Sequence, residues 1–450
     1  MTLLDRPLRE QAAAIAAGDA DPVELLDEAL ARIEARNPEL NAIVDTFPDE
    51  SRRMFAEAPA GPLHGVPVAI KDEWPLPWRA ERLGAAELLS PTNPGESGPY
   101  RALRDAGAVI VGVANMHEYG AGSTGHVSVY GPARNPWDTS RCPGGSSSGS
   151  GAAVAARLVG GAVGADGVGS IRYPAAYCGI TGLKPTFGRS AMEGHHVRDT
   201  TTIVSGPLCA DAADCRLLAG ALFGEELSRG EPRGLRIGLV PGVPWDDCQP
   251  EVRRACEAAV EELRKATGGE TTDVEIGGLE HVLMASILIG QTEELPALSP
   301  ARVNALGDDV SLIARALMKY RLLVPAAATT RAARVRNLVR RSLAAAFERV
   351  DVIAWPTVPA VAPPLDNPMV MLPSGAHPAD YANPRFGGLA NLAGVPAISV
   401  PVGLGEGGMP IGLQLHAAWG RDELLLDAAE ALERATGRRH VEATPALATT

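Results

Sequence analysis

Apolar and polar positions along the chain alternate between a helical and a strand-like period. Near the start, Leu26, Leu30 and Ile33 recur at helical spacing behind Asp21-Pro22, an N-cap followed by a proline at the first helical position. Glu24, three residues past the cap, completes a capping box, and Asn37-Pro38 is expected to stop this helix. From Pro62 the pattern changes to short apolar runs rich in β-branched residues, 66–70 and 108–113, which are too short for typical helices and read as buried strands. Segments 100–106 and 151–159 read as helices. A second block follows: helix 212–223, strand 235–240, helix 250–266, strand 273–276, a long helix 329–348 with many arginines on its outer face, and strand 352–355 ended by Pro356. Residues 357–385 are rich in proline with little periodicity and predict an extended surface loop. Strands 397–400 and 410–415 and a terminal helix 423–436 complete the pattern. Apolar strands alternating with helices predict an α/β fold: one large, mixed, twisted sheet covered by helices on both faces. Residues 1–60 read as a helical segment packed on that core, 61–440 as the α/β domain, and 441–450 as a frayed tail.

Composition narrows the partners. Over 450 residues, 41 Lys+Arg against 54 Asp+Glu give a net charge of −13, and no basic tract interrupts it, so nucleic acid is not an expected partner. Hydrophobic residues at 46% with charged residues at 21% describe a chain able to bury a large core. The opening MTLLDRPLREQ lacks the basic start and apolar run of a secretory signal, and no stretch approaches the ~18 apolar residues of a membrane span. The expectation is a cytoplasmic protein without a membrane partner. The six cysteines form no CxxC pair and read as buried thiols.

The candidate chemistry lies in two Gly/Ser clusters, residues 144–151 and 164–172, with a helix expected between them. Such stretches are commonly flexible linkers, but these are embedded in apolar, structured sequence. Glycine there lets backbone N–H groups converge on a small volume, as in a phosphate nest or an oxyanion hole. The absence of GxxxxGK[ST] weakens the phosphate reading. Gly145-Ser146-Ser147-Ser148-Gly149 satisfies GxSxG, yet the preceding nine residues read as loop where a nucleophile elbow needs a strand. Gly403-Leu404-Gly405-Glu406-Gly407-Gly408 satisfies GxGxxG but runs from strand to strand, which predicts a hairpin turn rather than a dinucleotide site. A serine nucleophile needs a base, and Lys71 closes the buried run 66–70, where desolvation favours the neutral amine.

Taken together, this constellation resembles the amidase signature family. The resemblance is carried by Gly61 to Asp72, by Ala106 to Gly112 with Asn115-Met116-His117-Glu118, and by Asn135-Pro136-Trp137-Asp138 and Pro143 to Ser150. It continues through Gly169 to Ala176, Cys178 to Thr186 and Asn391 to Pro401, spanning roughly residues 4–436. It implies Ser170 as nucleophile, Ser146 as a bridging serine on a cis peptide, Lys71 as base, and an oxyanion hole of the Gly167, Val168, Gly169 and Ser170 backbone N–H groups, with no cofactor and no metal. This chain departs from the family text at Ala165-Asp166-Gly167-Val168-Gly169-Ser170, where Val168 brings a β-branched side chain beside the oxyanion hole, and at Asp72-Glu73-Trp74 after the lysine. Asp166 and Arg172 are expected to form a structural ion pair.

Residues 187–206, with Met192, His195, His196 and Val197, form an irregular stretch past the nucleophile, read either as a lid or as an ordinary surface loop. Met116, Tyr119, Met192 and His195 are candidates for the substrate pocket. A metal role for His195-His196 is disfavoured because adjacent side chains diverge, and His64, His117 and His126 read as packed or surface residues. The expected reaction is hydrolysis of a C–N bond in a small-molecule amide or carbamate, including urethanes and aryl amides, by a monomer or homodimer. The rivals are an esterase, a subunit of the amidotransferase A type, and a non-catalytic binding or assembly subunit.

Overall fold

A computed structural model of the chain describes residues 2–87, 93–197, 200–293 and 299–437. The expected tail 441–450 lies outside them. Thirteen strands occur among the described residues: β1 (Ile43–Thr46), β2 (Pro67–Lys71), β3 (Val109–Ala114), β4 (Gly161–Asp166), β5 (Thr181–Lys184), β6 (Val204–Cys209), β7 (Arg236–Leu239), β8 (Glu270–Asp273), β9 (Val352–Pro356), β10 (Met369–Leu372), β11 (Gly375–Pro378), β12 (Ala397–Leu404) and β13 (Pro410–Ala417). Eleven of them build one sheet in the order β1-β3-β2-β4-β6-β5-β12-β13-β9-β7-β8, and β10 and β11 form a separate hairpin. The sheet is mixed, as expected. β2 runs parallel to β3 and β4, and β7 parallel to β8 and β9, while the centre from β4 to β9 is antiparallel. Helices flank it, and the apolar residues of β2, β3, β9 and β13, and of β12 up to Val402, are buried, consistent with strands covered on both sides.

The N-terminal helices Leu8–Ala17 and Pro22–Leu40 pack Leu8, Leu25 and Leu26 into the core, and β1 adds an edge strand to β3. The second helix runs past the expected stop at Asn37-Pro38 and ends three residues later, at Asn41 with φ 48°. Pro38 sits in the final turn, and Asn37 Oδ1 accepts the amides of Ala42 and Ile43 at 2.8 Å each, which fixes the chain reversal there. The helix expected at 151–159 spans Ser148–Ala155, and β4 begins shortly after it, at Gly161. The strand expected at 273–276 is β8, three residues earlier and polar, because it is an edge strand registered on β7 as Arg236↔Glu270 to Leu239↔Asp273. Residues 357–385 are not an extended loop throughout: they hold the β10–β11 hairpin and the turn Ala379–Ala382. Of the glycine-rich segment 403–408, Gly403 and Leu404 end β12 and residues 405–408 form the turn into antiparallel β13.

Candidate active site

The site forms where β2 and β4 end side by side. β2 is buried at all five positions, so it delivers Lys71 into the interior with 1% exposure. Burial pulls the ammonium down from its ordinary pKa of 10.5, against the raising effect of the Glu73 carboxylate. Lys71 Nζ donates to Ser146 Oγ at 2.8 Å. Ser146 follows a cis Gly145–Ser146 peptide in the first Gly/Ser cluster. Only glycine fits at 144, where φ is +86° and a Cβ would lie 2.6 Å from Pro174 Cα. The two clusters are stitched together by Ser147, whose amide donates to Ser170 O at 3.2 Å and whose hydroxyl donates to Ala165 O at 3.2 Å.

Ser170 closes the tight turn that leaves β4. At Gly169 φ is +130° and an added Cβ would fall 2.0 Å from the Tyr173 ring, so a side chain is excluded there; the Tyr173 hydroxyl donates to Val168 O. Asp166 organises this turn from below. Its Oδ1 accepts the Gly169 amide at 2.6 Å and its Oδ2 the Ile171 amide at 3.2 Å. Arg172 grips it with Nε to Oδ2 and Nη2 to Oδ1, each at 3.0 Å, both side chains being fully buried. This is the expected ion pair, and it extends further: Arg172 also donates to Gln414 Oε1 at 2.9 Å and Asn391 Oδ1 at 2.7 Å, and Asn391 returns a bond to Asp166 O at 2.7 Å. Burial opposes ionisation of Asp166, but the Arg172 guanidinium, with Lys184 and Asn391 adding to it, holds the carboxyl below its ordinary 3.8.

The expected oxyanion donors divide in two. The Gly169 amide is spent on Asp166, whereas the amides of Gly167, Val168 and Ser170 donate to no group among the described residues. Lys71, Ser146, Ser170, Val168, Tyr119 and His195 line one cavity of about 270 Å³. Met116 and Met192, both expected in the pocket, do not line it. Met116 is fully buried with Leu83 and Tyr119 beneath the wall, and Met192 packs against the core with its Sδ accepting the Ser205 amide at 3.0 Å. Leu283, Ile287 and Leu317 supply an apolar wall that the sequence pattern left unassigned, from helices Val282–Glu293 and Leu312–Arg321.

Of the segment 187–206, residues 204–206 belong to β6, and His195, His196, Thr202 and Ile203 reach the cavity. Glu73, for which the sequence offered no role, lies beside the lysine: Lys71 Nζ stands 3.1 Å from Glu73 Oε1, and His195 Nε2 lies 3.8 Å from Oε2. His117, His126 and Asp380 bring one potential ligand atom each within 4.8 Å of one another. Their hydrogen bonds run inward: His117 Nδ1 accepts the Gly125 amide at 3.2 Å, which leaves its ring proton on Nε2, and Asp380 Oδ1 accepts the Ser123 amide at 2.6 Å and hydroxyl at 2.9 Å. The donor set therefore fits a closed polar network better than a cation.

A base-linked serine, a second serine and unspent backbone amides around one cavity are the parts of an acyl-transfer site. The family model for amidases matches residues 24–426, so the chain belongs to the amidase family and is an amidase-family hydrolase. It is similar to the A subunit of the glutamyl-tRNA(Gln) amidotransferase of Alkalilimnicola ehrlichii, 33% identical over 483 aligned positions covering 96% of this chain and 97% of the relative. Among solved structures it is similar to an amidase at 31% identity and TM-score 0.89, covering 96% of this chain and all of that one. It is also similar to 6-aminohexanoate cyclic dimer hydrolase complexed with substrate, at 27% identity and TM-score 0.84, covering 97% and 98%.

Proposed function

We propose that the protein hydrolyses the C–N bond of a small-molecule amide or carbamate through an acyl-enzyme on Ser170. The observation that carries this reading is the 2.8 Å contact from a desolvated lysine to Ser146, in a cavity shared with Ser170. In the reaction, neutral Lys71 takes a proton from Ser146 Oγ as Ser146 takes one from Ser170 Oγ, and Ser170 attacks the acyl carbon. The amides of Gly167, Val168 and Ser170 receive the oxyanion. The relay then reverses to protonate the leaving amine, and water releases the acyl group. Residues 187–206 are read as the lid on this account, since the side chains of His195, His196, Thr202 and Ile203 meet the cavity.

The test is hydrolysis of a matched p-nitroanilide, aryl carbamate and p-nitrophenyl ester by wild type and Ser170→Ala. Release of amine by wild type, and its loss by several orders of magnitude in the variant, is the expected result. Turnover of the ester alone favours the esterase reading. A second reading rests on the curated relative: a subunit of the amidotransferase A type would act within an assembly, and its turnover would rise on adding the partner subunits. Turnover of none of these substrates would leave a binding or assembly role.

A further inference from the structure

The cavity carries a carboxylate that the relay does not use. Glu73 is two residues beyond Lys71, is 4% exposed, and lines the cavity. Its Oε1 is 3.1 Å from Lys71 Nζ and has no hydrogen-bond partner, and its Oε2 faces His195 Nε2, itself without a hydrogen bond, at 3.8 Å. A buried anion with so few donors persists only next to a compensating charge, and the nearest is Lys71.

We propose that Glu73 is a positioning residue that acts through Lys71, stabilising the ammonium that forms each time the lysine accepts a proton from Ser146. This deepens the acyl-enzyme reading above and rests on it. The carboxylate has opposite effects on the two halves of the base's task. It favours the protonated lysine, so a larger share of resting enzyme holds the inactive ammonium at neutral pH. It also makes the neutral lysine a stronger base and neutralises the charge developing in the transition state. The other groups acting on the pair are Asp166 at the end of β4, His195 and His196 from the segment after β5, and His117 from the loop after β3; Glu81 from the loop after β2 interacts with His195, and Arg321 from helix Leu312–Arg321 with His196. Within 4 Å, the Glu73 carboxylate meets the Lys71 ammonium and the His195 ring.

The test is the pH profile of kcat/KM for wild type, Glu73→Gln and Glu73→Asp, run beside the pH profile of Ser170 labelling by a phosphonyl fluoride. For Glu73→Gln the rising limb is expected to move down by about 1–3 pH units. Its alkaline plateau is expected to fall, by less than the roughly 10²–10⁴-fold that a positioned base is worth in full, so the two profiles cross. Glu73→Asp keeps the charge and the wild-type limb to within about half a pH unit. Labelling follows the same shifts without any substrate. A limb that stays in place in Glu73→Gln, or moves equally in both variants, overturns the role of Glu73 while leaving Ser170 labelled. Labelling that persists in Ser170→Ala overturns the underlying acyl-enzyme reading instead.

Discussion

Arg172→Met separates the buried scaffold of the turn from its chemistry. The substitution removes both bonds to Asp166 and leaves that carboxylate fully buried with only two amide donors, from Gly169 and Ile171. It also strips Gln414 Oε1 and Asn391 Oδ1 of their guanidinium donor. Breaking a buried pair by removing one partner costs about 3–5 kcal/mol, because the remaining charge is uncompensated. Unfolding entropy of roughly 2.1 cal/mol/K per residue makes 1 kcal/mol worth about 1 °C of Tm in a chain of this length. Differential scanning calorimetry at pH 7 is therefore expected to show a Tm lower by about 3–5 °C. The double variant Asp166→Asn, Arg172→Met is expected to lose clearly less than the two single changes added together, since it removes both partners of the pair at once. A Tm within 1 °C of wild type, or strict additivity in the double variant, would refute this reasoning. The pH sense follows from the depressed Asp166 carboxyl: its contribution is complete above the ordinary 3.8 and is lost as pH falls through the lower folded-state value.

Three further outcomes are expected. Lys71→Ala lowers kcat/KM by roughly 10²–10⁴-fold at pH 8 with little change in the far-ultraviolet circular dichroism, and an unchanged rate would remove Lys71 from the relay. Gly169→Ala forces a side chain into a +130° conformation against the Tyr173 ring, so kcat falls by at least about 10²-fold through the displaced oxyanion donors; wild-type kcat would show the turn to be irrelevant. Burial raises the Glu433 carboxyl well above its ordinary 4.5, so ionising it destabilises the folded chain increasingly as pH rises through that raised value. Glu433→Gln, whose amide oxygen can still accept from Thr181 Oγ1 and the Ala212 amide, is expected to raise Tm at pH 9 and leave it nearly unchanged at pH 4; a lower Tm at pH 9 would reverse the assignment.

What the sequence revealed depended on whether a local rule or a distant contact decided the position. Strands β2, β3, β9, β12 and β13 were legible because short, largely apolar runs, β-branched above all in β3, suit a strand buried on both faces. Helices Ala212–Phe223 and Pro250–Thr267 were legible from their periodicity, stopped by Gly224 and Gly268 in left-handed conformations. The helix Ser148–Ala155 starts earlier than its apolar residues suggest, over serines and glycines that are poor helix formers, and owes that start to close packing, where a Cβ at Gly149 or Gly151 would clash with Ala42 O or Pro174. Edge strand β8 escapes the pattern because a polar ETTD segment carries no apolar signal and owes its register to β7. In the candidate site, motif text pointed to Lys71, Ser146 and Ser170, which line one cavity, whereas the engagement of the Gly169 amide by Asp166 needed three-dimensional geometry. The apolar wall from Val282–Glu293 and Leu312–Arg321 comes from segments without a motif, far beyond the nucleophile in the chain.

The most direct test of the acyl-enzyme account is peptide mapping after reaction with a serine-directed phosphonyl fluoride at pH 8. The account predicts a single stoichiometric adduct on the peptide carrying Ser170, abolished by Ser170→Ala and slowed by both Lys71→Ala and Ser146→Ala. An adduct on Ser146 or elsewhere, or labelling indifferent to Lys71, would contradict it.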